Sequence, residues 1–201
     1  MPELLEVEIY RRLGDKAVGR TVDAVEAPDS WFLKGGITPS QVVDAVAGAT
    51  FLGTDRIGKL LTVDLGADRP VLGLRFGMTG RLALDDDAPI TALEYASHRD
   101  DPAWDRFAVR FTDGSRLRIS DPRRLGGVEL DPDTSRLGPD AWTLTVGQLT
   151  AALAGSTAPL KARLLDQARV AGLGNLLVDE EPRVADRIGQ ADAARAQVGQ
   201  E

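Results

Sequence analysis

Pro2 and Glu3 are the first residues in the chain whose types and spacing could do chemistry. Proline is small, so removal of Met1 is expected, and removal leaves a secondary amine at the terminus. An α-amino group has a pKa near ~8 against ~10.4 for lysine, so roughly a tenth of such an amine is unprotonated at neutral pH. It attacks an aldehyde-like carbon and yields a charged iminium directly, which suits covalent catalysis at a sugar C1′. Glu3, next to it, is placed to give or take a proton. The residue types also have an ordinary reading: proline in the first turn and acids near the positive dipole end simply start a helix.

Other reactive groups are sparse. The 201 residues include no cysteine and one histidine, His98. That excludes disulfides, a thiolate zinc site, a histidine metal cluster and a histidine-based triad that needs a second histidine. The formal net charge is −7, whereas a bare nucleic-acid binder is usually basic. Distribution matters more than the total. Between Arg106 and Arg124 there are six arginines against Asp113 and Asp121, a local net of +4. Much of the acid sits elsewhere, in a stretch holding Asp85, Asp86, Asp87, Glu94, Asp100, Asp101 and Asp105. Taken singly, Lys59 reads as a solvated strand-edge lysine, Met78 as core, Arg123-Arg124 as a solvated turn, and Gly172-Leu173-Gly174 as a helix C-cap signal.

The elements that must position these residues follow from periodicity and punctuation. Residues 3–14 read as a helix with Leu4, Val7 and Leu13 on one face and Gly14 as a stop. A first strand is expected around Val22–Val25, a short helix over Gln41–Val46, and strands over Thr50–Thr54, Leu60–Leu65, Val71–Phe76 and Arg81–Leu84. Residues 85–105 read as an exposed acidic loop. Phe107–Thr112 and Arg116–Ser120 alternate around Asp113-Gly114, a strong hairpin signal, and Val128–Leu130 is a further short strand. After Asp131 the texture changes: Pro132, Gly138 and Pro139 mark a linker, and Thr145–Leu153, Pro159–Gln167 and Leu176–Glu181 read as helices, the last preceded by a glycine turn at Ala171–Asn175. We expect a β-rich domain over 1–131, a helical domain over 132–188, and a polar, alanine-rich tail over 189–201 that is disordered. No stretch is apolar enough to span a membrane, and the N-terminus is not a secretory signal, so the default location is cytoplasmic.

Five segments in order resemble the formamidopyrimidine-DNA glycosylase / endonuclease VIII family: MPELLEVE at 1–8, RIGKLL at 56–61, LRFGMTGRL at 74–82, SDPRRLGG at 120–127 and LLDQARVAGLGN at 164–175. The resemblance covers about residues 1–181. It implies an α+β fold: an N-terminal β-sandwich with an N-terminal helix, followed by an incomplete helix-two-turns-helix domain. It also implies a bifunctional DNA glycosylase and abasic-site lyase of base-excision repair. Such an enzyme acts on damaged double-stranded DNA as a monomer and removes 8-oxoguanine, formamidopyrimidine or oxidised pyrimidines. By the same resemblance Pro2 is the nucleophile at C1′ and Glu3 the acid/base. Lys59 holds a phosphate beside the lesion, and Asn175 binds the same backbone region. Met78, Arg123 and Leu125 fill the gap left by the extruded base, with Arg123 bonding the orphaned partner base.

The pattern is broken in places. Leu5 stands where the family has proline, and Leu125 stands where it commonly has phenylalanine, which stacks better on bases. Pro182 interrupts the last helix, and without cysteine there is no zinc finger. The expectation is a member truncated at its C-terminal end, needing no cofactor, with weak and salt-sensitive DNA binding. The alternative is a catalytically weak or inactive damaged-DNA-binding remnant.

Overall fold

The computed structural model describes residues 2–91, 93, 99–155 and 157–179. The expected tail over 189–201, Pro182, His98 and Met1 lie outside the described residues. The chain divides into two compact units, Met1–Arg136 and Leu137–Glu201.

The first unit opens with α1 (Leu4–Asp15), whose Leu4, Val7, Tyr10 and Leu13 are buried at helical spacing. The Glu3 N–H, left without an intrahelical partner, donates to Glu6 Oε2 at 2.8 Å. Leu5 lies on the exposed side of the helix. There follow β1 (Val22–Glu26), α2 (Pro39–Val46), β2 (Gly53–Ile57), β3 (Leu60–Asp64), β4 (Leu72–Arg75), β5 (Arg81–Leu84), β6 (Asp105–Phe111), β7 (Arg116–Ser120) and β8 (Gly127–Leu130). They form two antiparallel four-stranded sheets, ordered β1-β6-β7-β5 and β2-β3-β4-β8. Inward residues of both sheets, with the buried stripe of α1, make one core that includes Phe51, Leu61, Leu74, Phe76, Val109, Phe111 and Ile119. Each fully buried side chain of this kind contributes roughly 1.5–3 kcal/mol.

Local chemistry explains where elements depart from the periodicity. The second helix starts two residues earlier than its apolar pattern, because Thr38 caps it through the Gln41 N–H at 3.3 Å and Pro39 takes the first turn. The strand expected at Thr50–Thr54 is displaced to Gly53–Ile57. Phe51 instead turns into the core, edge-on to Phe111 at 5.1 Å, and Thr50 only bridges Thr21. The chain stays tied to β4 just past β8, with Asp131 N–H donating to Val71 O at 2.8 Å and Val71 N–H to Asp131 Oδ1 at 2.9 Å.

The second unit holds α3 (Val146–Leu153), α4 (Leu160–Leu165) and a helical segment over 175–179. Thr145 and Gln148 cap α3 reciprocally. α4 stops at Leu165, short of Gln167, because Asp166 leaves helical geometry and its side chain accepts the Ala168 N–H at 3.0 Å. Neither α3 nor α4 contains a buried residue. Among the described residues, no helix is long and apolar enough to cross a membrane.

Candidate DNA-processing site

The helix α1 runs along the β2–β3 hairpin, and the contacts form a ladder. Near its C-terminal end, Gly14 packs on Thr54, whose hydroxyl donates to Arg11 O at 3.2 Å. Further up, Arg56 lies 3.4 Å from Glu8 and donates to Gly58 O at 2.8 Å. At the top, the Glu3 carboxylate acts electrostatically on Lys59. The directions match: α1 rises about 16 Å from Gly14 to Glu3, and β2 rises about 10 Å from Thr54 to Ile57 before the turn that carries Lys59. Pro2 and Glu3, both buried, are therefore delivered to the hairpin tip. That tip is the two-residue turn Gly58-Lys59 between the paired Ile57 and Leu60, and Gly58 takes the positive φ, +58°, that the turn needs. Lys59 is partly buried, and desolvation pulls its pKa below the ordinary lysine value while Glu3 pulls it back up. Glu8, the middle rung, is held down to about 2, chiefly by its bond to Arg11, against some desolvation.

Sheet register gathers the remaining first-unit candidates at the same end. Ile57 pairs with Leu60, Leu60 with Arg75, and Arg75 with Gly127, one row across β2-β3-β4-β8. Immediately beyond this row lie Lys59, the turn Phe76–Gly80 carrying Met78, and the loop 121–126 carrying Arg123 and Leu125. Tyr10 of α1 reaches the Met78 turn, its ring 4.5 Å from Phe76 and its hydroxyl donating to Gly80 O at 3.2 Å. Met78 is partly buried, Leu125 is half-exposed and Arg123 is exposed.

Asp121, which residue type alone did not single out, joins the two turns. It is fully buried, and its carboxylate accepts Thr79 Oγ1 at 2.5 Å, the Arg123 N–H at 3.2 Å and the Gly126 N–H at 2.8 Å. The turns also touch backbone to backbone. Gly77 has φ +55°, and a Cβ there would stand 2.4 Å from Leu125 C. Arg124 holds an uncommon φ of +58° and forks both ways onto Asp29, at 2.6 and 2.5 Å. That bond holds the Asp29 carboxyl below its ordinary value. The adjacent arginines thus divide: Arg124 anchors the loop through its side chain, and the Arg123 guanidinium pairs with no carboxylate among the described residues.

The arginine-rich stretch does not form a free basic face. Arg106, Arg110, Arg116 and Arg118 meet Asp29, Asp23, Glu26, Asp100 and Asp105 within 4.0 Å. Its local charge is spent largely on pairs within the fold, several from the acidic stretch that the sequence showed as separate.

Asn175 belongs to the second unit. It is exposed at the start of the helical segment 175–179, directly after the glycine turn. Gln167 clamps that turn: its amide nitrogen donates to Leu165 O and Leu173 O, both at 2.9 Å, and its oxygen accepts the Gly172 N–H at 3.0 Å. The side chain that the periodicity put in a helix is instead the brace of the turn.

Residues 1–128 match the family profile described as the formamidopyrimidine-DNA glycosylase N-terminal domain. The architecture is thus that of the formamidopyrimidine-DNA glycosylase N-terminal domain. A formamidopyrimidine-DNA glycosylase from Arabidopsis thaliana is 33% identical over 193 residues, covering 90% of this chain and 49% of its own length. One from Paracoccus denitrificans is 36% identical over 195 residues, covering 90% of this chain and 66% of its own. Lactococcus lactis Fpg in complex with abasic-site DNA superposes with a TM-score of 0.70 at 30% identity, covering 89% of this chain and 65% of that one. The chain belongs to the formamidopyrimidine-DNA glycosylase family, and it spans about half to two thirds of the length of these relatives.

Proposed function

We propose that the chain is a bifunctional DNA glycosylase and abasic-site lyase for oxidised bases in damaged double-stranded DNA. The observation that carries this reading is the delivery of Pro2 and Glu3 by α1 to the Lys59 hairpin tip, at the sheet end that also bears Met78, Arg123 and Leu125. With Met1 removed, the Pro2 nitrogen forms a bond to C1′ as the glycosidic bond breaks; the bond's electron pair leaves with the base, which takes up the proton that the nitrogen loses. Glu3 supplies the proton that lets the sugar ring oxygen depart, and the nitrogen lone pair completes an iminium. Loss of a C2′ proton then expels the 3′ phosphate, and a second elimination expels the 5′ phosphate. Lys59 fixes a phosphate beside the reacting sugar, and Asn175 supplies a further phosphate contact from the second unit. Met78, Arg123 and Leu125 occupy the space of the extruded nucleotide.

Related proteins support this breadth of substrate. Lactococcus lactis Fpg forms complexes with DNA containing an abasic site or an oxidised pyrimidine, and a point mutant of it forms one with DNA containing Fapy-dG. The chemistry needs no metal, and with no cysteine in the chain its residues cannot build the family's thiolate zinc finger. We read the enzyme as a cytoplasmic monomer. Borohydride reduction with abasic duplex DNA should trap a covalent adduct, and Pro2→Gly should remove most of it. No adduct from the parent, or an intact Met1 in its mass spectrum, refutes the reading.

A second reading, a damaged-DNA-binding protein with little turnover, draws on the second unit. Val146, Leu160 and Leu176 are exposed there, and α3 and α4 bury no residue. Under this reading the purified protein binds abasic DNA but its near-UV circular dichroism lacks part of the expected tertiary signal.

A further inference from the structure

Beside the Arg123–Leu125 tip stands a segment that the mechanism above does not use. Residues Ser30–Phe32 form a single 3-10 turn. Asp29 controls it: one carboxylate oxygen accepts the Trp31 N–H at 3.1 Å, and the same carboxylate holds Arg124. Phe32 is buried against Gly126. The Lys34 N–H donates to Val128 O at 2.8 Å, and the Lys34 stem lies across Gly127, where a Cβ would be 2.5 Å from its Cγ. The segment is thus locked to the 121–126 loop, which carries the wedge residues Arg123 and Leu125, at Arg124 and at the loop's C-terminal end. Trp31, however, is 69% exposed. The Lys34 ammonium is held by Trp31 O at 2.9 Å and sits 5.7 Å from the indole centroid, with no carboxylate partner among the described residues. Most arginines of this unit are neutralised by acids. A rigidly mounted, solvent-facing indole with an unpaired ammonium beside it departs from that pattern.

We infer that Trp31 and Lys34 form a second DNA contact flanking the wedge: Lys34 takes a backbone phosphate, and the Trp31 indole lies against the neighbouring sugar or base. This inference rests on the glycosylase reading. The chemistry fits a nucleic acid: an indole offers a face for sequence-tolerant stacking, and an ammonium with its stem already immobilised loses less freedom on meeting a phosphate. Asp29 is the link that would keep this contact in register with the wedge, since one carboxylate positions both Trp31 and Arg124.

The test uses the full chain with Trp104→Phe and Trp142→Phe, leaving Trp31 as the single tryptophan, and the borohydride-trapped adduct with abasic duplex as the complex. Trp31 emission should change in the adduct and its quenching by acrylamide should fall several-fold. In equilibrium binding, Trp31→Ala should weaken Kd on the order of ten-fold. Lys34→Gln should lower the slope of log K against log salt by about one. A Trp31 that stays as accessible in the adduct as in the free protein overturns this inference and leaves the glycosylase reading standing. Absence of both adduct and binding in the parent overturns the two together.

Discussion

The buried carboxylate of Asp121 offers the sharpest test of how the wedge is held. Replacing it by the isosteric amide, Asp121→Asn, keeps the volume but turns one acceptor into a donor. If the remaining oxygen stays with Thr79 and Arg123, the new NH2 faces the Gly126 N–H. If the amide flips, the Thr79 hydroxyl can rotate to accept, but the Arg123 N–H loses its partner. Either way one backbone N–H is left without its carboxylate acceptor, and the bonds that remain lose their ionic component. Each such loss costs about 1–3 kcal/mol, so a total near 2–3 kcal/mol is expected. Chemical denaturation should register that amount, and thermal unfolding should drop by about 4–12 °C. The functional effect separates from stability when both proteins are assayed well below their unfolding temperatures. Trapping on a duplex with an oxidised base requires extrusion, and trapping on an abasic duplex requires less. The ratio of the two should fall about ten-fold, the equivalent of about 1.4 kcal/mol of wedge misplacement. A variant as stable as the parent, with an unchanged ratio, would show that backbone packing between Gly77 and Leu125 suffices and that the carboxylate has no organising role.

Other consequences follow from the same geometry. Gly77→Ala places a Cβ 2.4 Å from Leu125 C at a φ of +55°, so a loss above about 3 kcal/mol is expected in urea unfolding, far beyond an ordinary surface glycine. Asp29 has a folded-state pKa below its ordinary 3.8, so the stability it contributes is present above that value and fades as pH falls through the lowered one. Asp29→Asn should therefore flatten the acid limb of stability below about pH 4, and an unchanged limb would assign it to other carboxylates. Lys59 has a lowered pKa, so its positive charge is lost at lower pH than that of an ordinary lysine. DNA affinity measured against rising pH should fall early in the parent and later in Lys59→Arg, whose charge persists; coincident curves would remove Lys59 from the phosphate contact.

The sequence by itself determined the architecture to a large extent. The apolar stripe Leu4, Val7 and Leu13 demanded a buried helix face, and the alternation around Asp113-Gly114 demanded a hairpin, because burial periodicity is a local property of the chain. The residue types of Pro2 and Glu3, and the order of the five segments, pointed to the chemistry. What only the tertiary structure decided are relations between distant residues. Lys59, Met78 and Arg123 lie at one end of the sheet because one register row, Ile57 to Leu60 to Arg75 to Gly127, aligns three turns, and register is set by pairing across strands. The basic stretch looked available along the chain, yet folding brings it carboxylates from Asp23, Glu26, Asp29 and Asp100. Asp121 and Gln167 looked like ordinary polar residues, because a buried hydrogen-bond hub is defined by the N–H groups that converge on it, and those come from elsewhere in the fold.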